Sequence, residues 1–203
     1  MRRRLLFIVP ILCLLVGNAS GQAILAKHLV VALGGGGGYS WIAGNDEEIS
    51  SASLESSAVR FSFSYALSDR ISIGGHYSRI GSVVHPVLDR VRLTSYMIEG
   101  SHRIHNGTHA ALEVAVAAGL QLTTLRPKDV LLPFDAYGAV LNGSVRYLRM
   151  INGTIGVFAA FDHIIAPEAQ ITFAGDPVLL PDGRAAVIGW RCVRATAGGY
   201  LRF

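Results

Sequence analysis

The chain has 203 residues, enough for one domain, with 51% hydrophobic and only 16% charged residues, well under the roughly 25% charge usual in soluble proteins. Its formal charge of +4 includes Arg2, Arg3 and Arg4, and the remaining cations are scattered singly, which argues against a nucleic-acid-binding face. Beyond the amino-terminal segment no apolar run approaches the ~18 residues that a membrane helix needs, so the apolar residues must be dispersed in another way.

After Met1 come three arginines and a short apolar run from Leu5 to Val16, followed by small residues at Ala19, Ser20 and Gly21. This is the build of an export signal cleaved near Gly21, dividing the chain into residues 1–21 and a mature domain of residues 22–203. Cys13 lacks the small residue that precedes a lipoprotein cysteine. It leaves with the signal, so Cys192 has no partner for a disulfide or a zinc set.

Period-two alternation then predicts a series of strands. Residues 28–40 form the first, with Leu29, Val31, Leu33, Tyr39 and Trp41 on one face and Ala32, three glycines and Ser40 on the other. The run Gly34–Gly38 is no phosphate loop, because no Gly-Lys-Ser/Thr and no helix pattern follow. A polar stretch, residues 45–57, precedes a second strand in which Val59, Phe61, Phe63 and Tyr65 alternate with Arg60, Ser62 and Ser64. Ser68-Asp69 is a tight turn, and residues 71–80 return with Ile71, Ile73 and Tyr77 opposite Ser72, Gly74, His76 and Ser78. A loop at 81–89 leads to a strand at 91–104, and Asn106-Gly107 is a hairpin signal. Residues 111–123 set Leu112, Val114, Val116 and Leu120 against Glu113, Ala115, Ala117 and Gln121. A loop holding Pro127 and Pro133, a strand at 137–148, a turn at Asn152-Gly153 and a strand at 154–163 follow. The longest loop is expected at 164–184 and the last strand at 187–203.

The connections read long, short, long, short, long, short, long, with both ends on one side. That is the plan of an all-β, eight-stranded, antiparallel, up-and-down transmembrane β-barrel in the bacterial outer membrane, with short turns toward the periplasm. Backbone groups in lipid must all be paired, which requires the sheet to close. The expected surroundings are outer-membrane lipid, with Tyr39, Trp41, Tyr65, Tyr137, Tyr147 and Phe203 as interfacial aromatics.

The ending Ala197-Gly-Gly-Tyr-Leu-Arg-Phe203, with Gly199, Tyr200 and a final Phe203, resembles the assembly signal of outer-membrane barrels. Together with the strand count and loop alternation, it makes the mature chain similar to the small OmpA- and OmpX-type barrels. The resemblance implies recognition of the last strand by the barrel-assembly machinery. It does not carry over a peptidoglycan-binding domain.

Alternation points Arg60, Glu99, Arg103, Glu113, Arg146, Asp162 and Arg194 into the lumen, where an eight-stranded barrel has room for little beyond side chains. Charges there must pair, because an unpaired buried ion is costly. The expected role is structural or surface-interacting, with no catalysis and no cofactor, and with a possible external ligand at the long loops. Two alternatives stand beside it. His76-Tyr-Ser78 is similar to the His and Ser two apart in barrel enzymes that deacylate lipid A, where the His activates the Ser, but it lies on the third strand, lacks the following asparagine and faces the lumen. An arginine-rich constriction would instead make a narrow, porin-like pore. The apolar loop segments Val130-Leu-Leu-Pro-Phe134 and Val178-Leu-Leu-Pro181 either pack over the barrel or offer a binding surface.

Overall fold

A computed structural model describes residues 26–45, 51–82, 88–128 and 132–203; the expected export signal and the segment Val130-Leu131 lie outside them. Among the described residues nine strands follow one another: β1 (Leu29–Gly44), β2 (Ser51–Ala66), β3 (Ile71–Ser82), β4 (Leu88–Asn106), β5 (Ala110–Pro127), β6 (Phe134–Met150), β7 (Ile155–Phe173), the two-residue β8 (Asp176–Pro177) and β9 (Val187–Arg202). Each long strand pairs antiparallel with its neighbours, and the β6–β7 and β1–β9 pairings close the ring into an eight-stranded barrel with β8 as a side hairpin on β7. The seam is continuous to its end, with Leu29 N donating to Phe203 O at 3.0 Å and Phe203 N to Leu29 O at 2.9 Å.

The three short connections are held by their own residues. Ser68 Oγ accepts from the amides of Arg70 and Ile71, at 3.2 and 3.0 Å. Asn152 Oδ1 accepts from those of Thr154 and Ile155, at 2.9 and 2.8 Å; both are side-chain mimics of a turn. Gly107 N donates to Ala110 O at 2.8 Å in the hairpin expected at Asn106-Gly107.

Outward rows are apolar where the alternation put them: Ile98, Val116 and Leu120 are each 72% exposed, and Phe61, Phe63, Ile73 and Phe161 join them on the outside wall. This polarity is the reverse of a soluble ligand-binding barrel. The inward glycines sharpen the strand coil. A Cβ on Gly36 or Gly38 would lie 2.0 Å from a carbonyl oxygen of β9, and one on Gly34 would lie 2.6 Å from the Phe158 ring. The glycine run is therefore a place of close backbone approach and of room for a large inward neighbour.

Two expectations need correction. The stretch 45–57 is not all loop, since β2 starts at Ser51, and the stretch 164–184 is not one loop, since β7 runs on to Phe173. Both additions lie at the outer end, where strand polarity inverts. There Leu54, Ile164, Ile171 and Ile188 point inward and are buried, while Glu55, Glu168 and Gln170 are exposed. Strands of 16 to 19 residues exceed the roughly 9–11 needed to cross the hydrocarbon, so the outer ends of the wall project into water and follow soluble-protein rules. Pro167, which has no amide hydrogen, sits where β7 slips register against β9 between Ala166 and Ala169, a bulge that tolerates proline.

Candidate functional site: the lumen and the outer mouth

The lumen is layered. At its centre Arg103, Glu113, Arg146, Glu99, Arg60, Asp162 and Arg194 make one alternating chain of ions across the barrel. Arg60 Nη1 lies 2.7 Å from Asp162 Oδ1 and its Nη2 lies 3.2 Å from Glu99 Oε2. Arg146 bridges Glu99 Oε1 at 2.5 Å and Glu113 Oε1 at 3.1 Å. Arg194 Nε reaches Asp162 Oδ2 at 3.0 Å, and Arg103 Nε stands 3.7 Å from Glu113 Oε2. Every carboxylate is shared by two guanidinium groups, and all seven side chains are nearly inaccessible. Four arginines against three carboxylates leave a formal +1 (4 − 3), so both ends of the chain are cationic. Those ends are tied to neutral oxygens: Arg194 Nη1 to Ser78 Oγ at 2.5 Å, and Arg103 to Ser72 Oγ and to Ser68 O at 3.1 Å.

Sequence reasoning gave the charges but not the rest of the filling. Toward the outer mouth an apolar plug of Ile80, Leu93, Leu125, Ile164, Ile188 and Trp190, among others, fills the barrel. A smaller apolar group with Val30, Leu148, Met150, Phe158 and Tyr200 fills the periplasmic end. The charges read from the alternation occupy only the middle layer. A cavity beside Arg60, Glu113, Arg146 and Phe158 has about 20 Å³, room for about one water.

His76 and Ser78 both face this interior and are buried. Their strand pairs without a slip to β2 and β4 from Ser72 to Gly81, so no bulge turns them outward. His76 Nδ1 is 3.4 Å from Glu99 Oε2, but neither ring nitrogen hydrogen-bonds Ser78, whose oxygen instead accepts from Arg194. A general base needs hydrogen-bond reach of its nucleophile; here a guanidinium holds that place. The two residues belong to the ion layer.

At the mouth, the long segment after β7 is ordered. Ala174 and Gly175, both with positive φ (52° and 95°), turn β7 into β8, and Leu179 bridges Ala185 in a second small hairpin. Val178 and Leu180 tuck onto the plug together with Phe134, whose ring lies 5.1 Å from that of Phe173. Asn45 ties this cap to β1, donating to Ala185 O at 2.8 Å and accepting from Val187 N at 2.9 Å. Leu132 and Leu179 remain exposed. The apolar loop residues thus divide, some covering the plug and others facing water. Of the carboxyl-terminal residues, Gly199 faces out and is exposed, Tyr200 points inward and is buried, and Phe203 is exposed. Tyr39, Trp41 and Tyr137 stand exposed at the outer end of the wall, with Tyr65, Tyr147 and Phe203 at the other.

No family model and no curated protein matches the sequence. Solved structures do match in fold. Neisserial surface protein A shares 10% identity with a TM-score of 0.57, over 84% of this chain and 96% of that one. The outer membrane protein OprG from Pseudomonas aeruginosa shares 12% identity with a TM-score of 0.50, over 92% and 99%. Ail, the attachment invasion locus protein of Yersinia pestis, shares 11% identity with a TM-score of 0.50, over 88% and 100%. The fold is that of the small eight-stranded outer-membrane β-barrels. With an apolar outer wall around a paired, polar middle layer, the chain has the build of a barrel that sits in a lipid bilayer.

Proposed function

We propose that this barrel has no catalytic duty and acts as a structural and surface-interaction protein, its lumen serving stability and its outer mouth serving contact. The observation that carries this reading is the filled lumen: ions paired end to end, capped by apolar plugs, leave neither a path for solutes nor access for a lipid ester to Ser78. What remains available outside is the ordered mouth with Leu132 and Leu179 facing water, and exposed apolar groups held on a rigid frame are the usual material of contact surfaces. Residues 1–21 are the export signal in this reading, and the last strand with Gly199, Tyr200 and Phe203 is what the barrel-assembly machinery engages.

The test replaces residues 178–185 with a Gly/Ser segment of equal length and compares cells making either form. Attachment to surfaces and to host or neighbouring cells should fall several-fold with the replacement, at unchanged barrel abundance and unchanged lipid A mass spectrum. Equal attachment would remove the mouth from the account, and a lipid A acyl chain lost only with wild type would restore the hydrolase. Amino-terminal sequencing of envelope protein should begin near residue 22, and Phe203→Asp should lower membrane insertion.

A further inference from the structure

The outer wall of β3, β4 and β5 carries a feature that the lumen account does not use. On each of these strands the outward apolar row ends, toward the outer mouth, in arginine: Tyr77 is followed by Arg79, Tyr96 and Thr94 lead to Arg92 and Arg90, and Leu122 and Thr124 lead to Arg126. The register gathers them. Arg90 stands directly opposite Arg126, Arg92 opposite Thr124 and Gly81, and Arg79 opposite Thr94. Arg79, Arg90 and Arg126 are exposed and Arg92 is partly so. Among the described residues none of the four forms an ion pair. Asp89 adjoins Arg90 at a bulge, and Asp135 accepts from Thr124 Oγ1 at 3.0 Å. Like charges directly opposite on a sheet repel, and a wall of guanidinium groups at a membrane boundary calls for an anion.

Immediately below, on the same wall, lies an apolar groove of about 610 Å³ lined by Phe61, Phe63, Ile73, Tyr77, Tyr96 and Ile98, within the usual size range of ligand sites, about 300–1,000 Å³. Its floor is Gly75, where a Cβ would lie 2.6 Å from the Phe63 ring. The Tyr77 and Tyr96 rings, 5.3 Å apart, form its upper edge. Gly75, Tyr77 and Arg79 are successive outward positions, so groove and cations are about 7 Å apart at each step of two residues.

We propose that this face binds a phosphorylated glycolipid of the outer leaflet, with Arg79, Arg90, Arg92 and Arg126 clamping its phosphate groups and the groove seating an acyl chain. The inference rests on the barrel lying in the outer membrane with its long loops outward. A guanidinium meets phosphate oxygens with a planar pair of donors. A phosphate monoester, with a charge of about −1.5 to −2, balances four clustered arginines better than a singly charged phosphodiester. The groove supplies the part of the fit that free phosphate cannot use.

The test places the full barrel in phosphatidylcholine nanodiscs doped with equal traces of bisphosphorylated lipid A, dephosphorylated lipid A and phosphatidylglycerol, and counts the lipids retained on gentle detergent release by native mass spectrometry. Bisphosphorylated lipid A should be enriched at least tenfold over the other two. Arg90→Gln with Arg126→Gln should remove most of that enrichment, and Gly75→Leu should reduce it by filling the groove, with folding checked by circular dichroism for each. Millimolar inorganic phosphate should leave the bound lipid in place. Equal retention of all three lipids, retention indifferent to the arginine pair in a folded barrel, or full displacement by inorganic phosphate would overturn the proposal. A folded barrel without enrichment refutes the lipid site alone, whereas the chain fractionating outside the outer membrane would refute the reading on which the site rests.

Discussion

In the membrane-embedded part of the wall Ile98, Val116 and Leu120 face out while Arg60, Glu99 and Asp162 face in; in the projecting part Glu55, Glu168 and Gln170 face out while Leu54, Ile171 and Ile188 face in. The same strands change rules along their length because their solvent changes. Where lipid surrounds the sheet, apolar groups belong outside and ions are tolerated inside only as a fully paired set. Where water surrounds it, the hydrophobic effect turns the apolar groups inward and the tube becomes a small soluble core. Asp162 and Ile188 lie on adjoining strands, β7 and β9, yet one is held by two arginines and the other by a plug.

The contrast can be broken most severely from the charged side. Asp162→Ala leaves Arg60 and Arg194 facing each other without their shared carboxylate, and removing one partner of a buried pair costs about 3–5 kcal/mol; urea unfolding in lipid vesicles should show that loss. In the projecting core, Ile188→Ala should cost about 2–4 kcal/mol, through lost burial and the cavity left behind, with the ion layer untouched. Val116→Arg should cost about 2–4 kcal/mol if it lies near mid-bilayer, whereas Glu55→Arg should change stability by no more than about 0.5 kcal/mol, as at an ordinary wet surface. Similar costs at both positions would mean that the wall does not change solvent between them.

This inversion also explains what the sequence could and could not convey. Val59 to Tyr65 and Leu112 to Gln121 alternate with apolar residues outward, and their faces and inward charges could be read from that pattern alone. Residues 54–55 and 164–171 lie in strand ends that turn apolar side chains inward, so a reading tuned to lipid-facing alternation takes those ends for loop. The plug was hidden for the same reason, since Leu93, Ile164 and Trp190 belong to it through contacts between distant strands. The charged layer was legible as a list of inward residues. Its order, with each carboxylate between two arginines, depends on barrel closure, which no local pattern encodes.

A small gain is expected at the mouth. Ala174 holds a left-handed conformation at φ 52°, which costs an L-residue roughly 1–2 kcal/mol. Ala174→Gly should recover about 0.5–1 kcal/mol after the extra chain entropy of glycine is offset. Thermal unfolding should rise slightly, leaving the ion layer and the membrane wall as they are.

A lumen sealed by paired ions and apolar plugs gives ions no route through the membrane. Planar-bilayer recording of the purified barrel tests it most directly. A sealed lumen gives no steady conductance steps above the bare bilayer in molar salt, for wild type as for a Trp190→Phe variant that keeps the plug filled. Reproducible ohmic steps from the wild-type barrel would contradict it, because current could cross the layer of Arg60, Glu99, Asp162 and Arg194 only if their pairing were open to water.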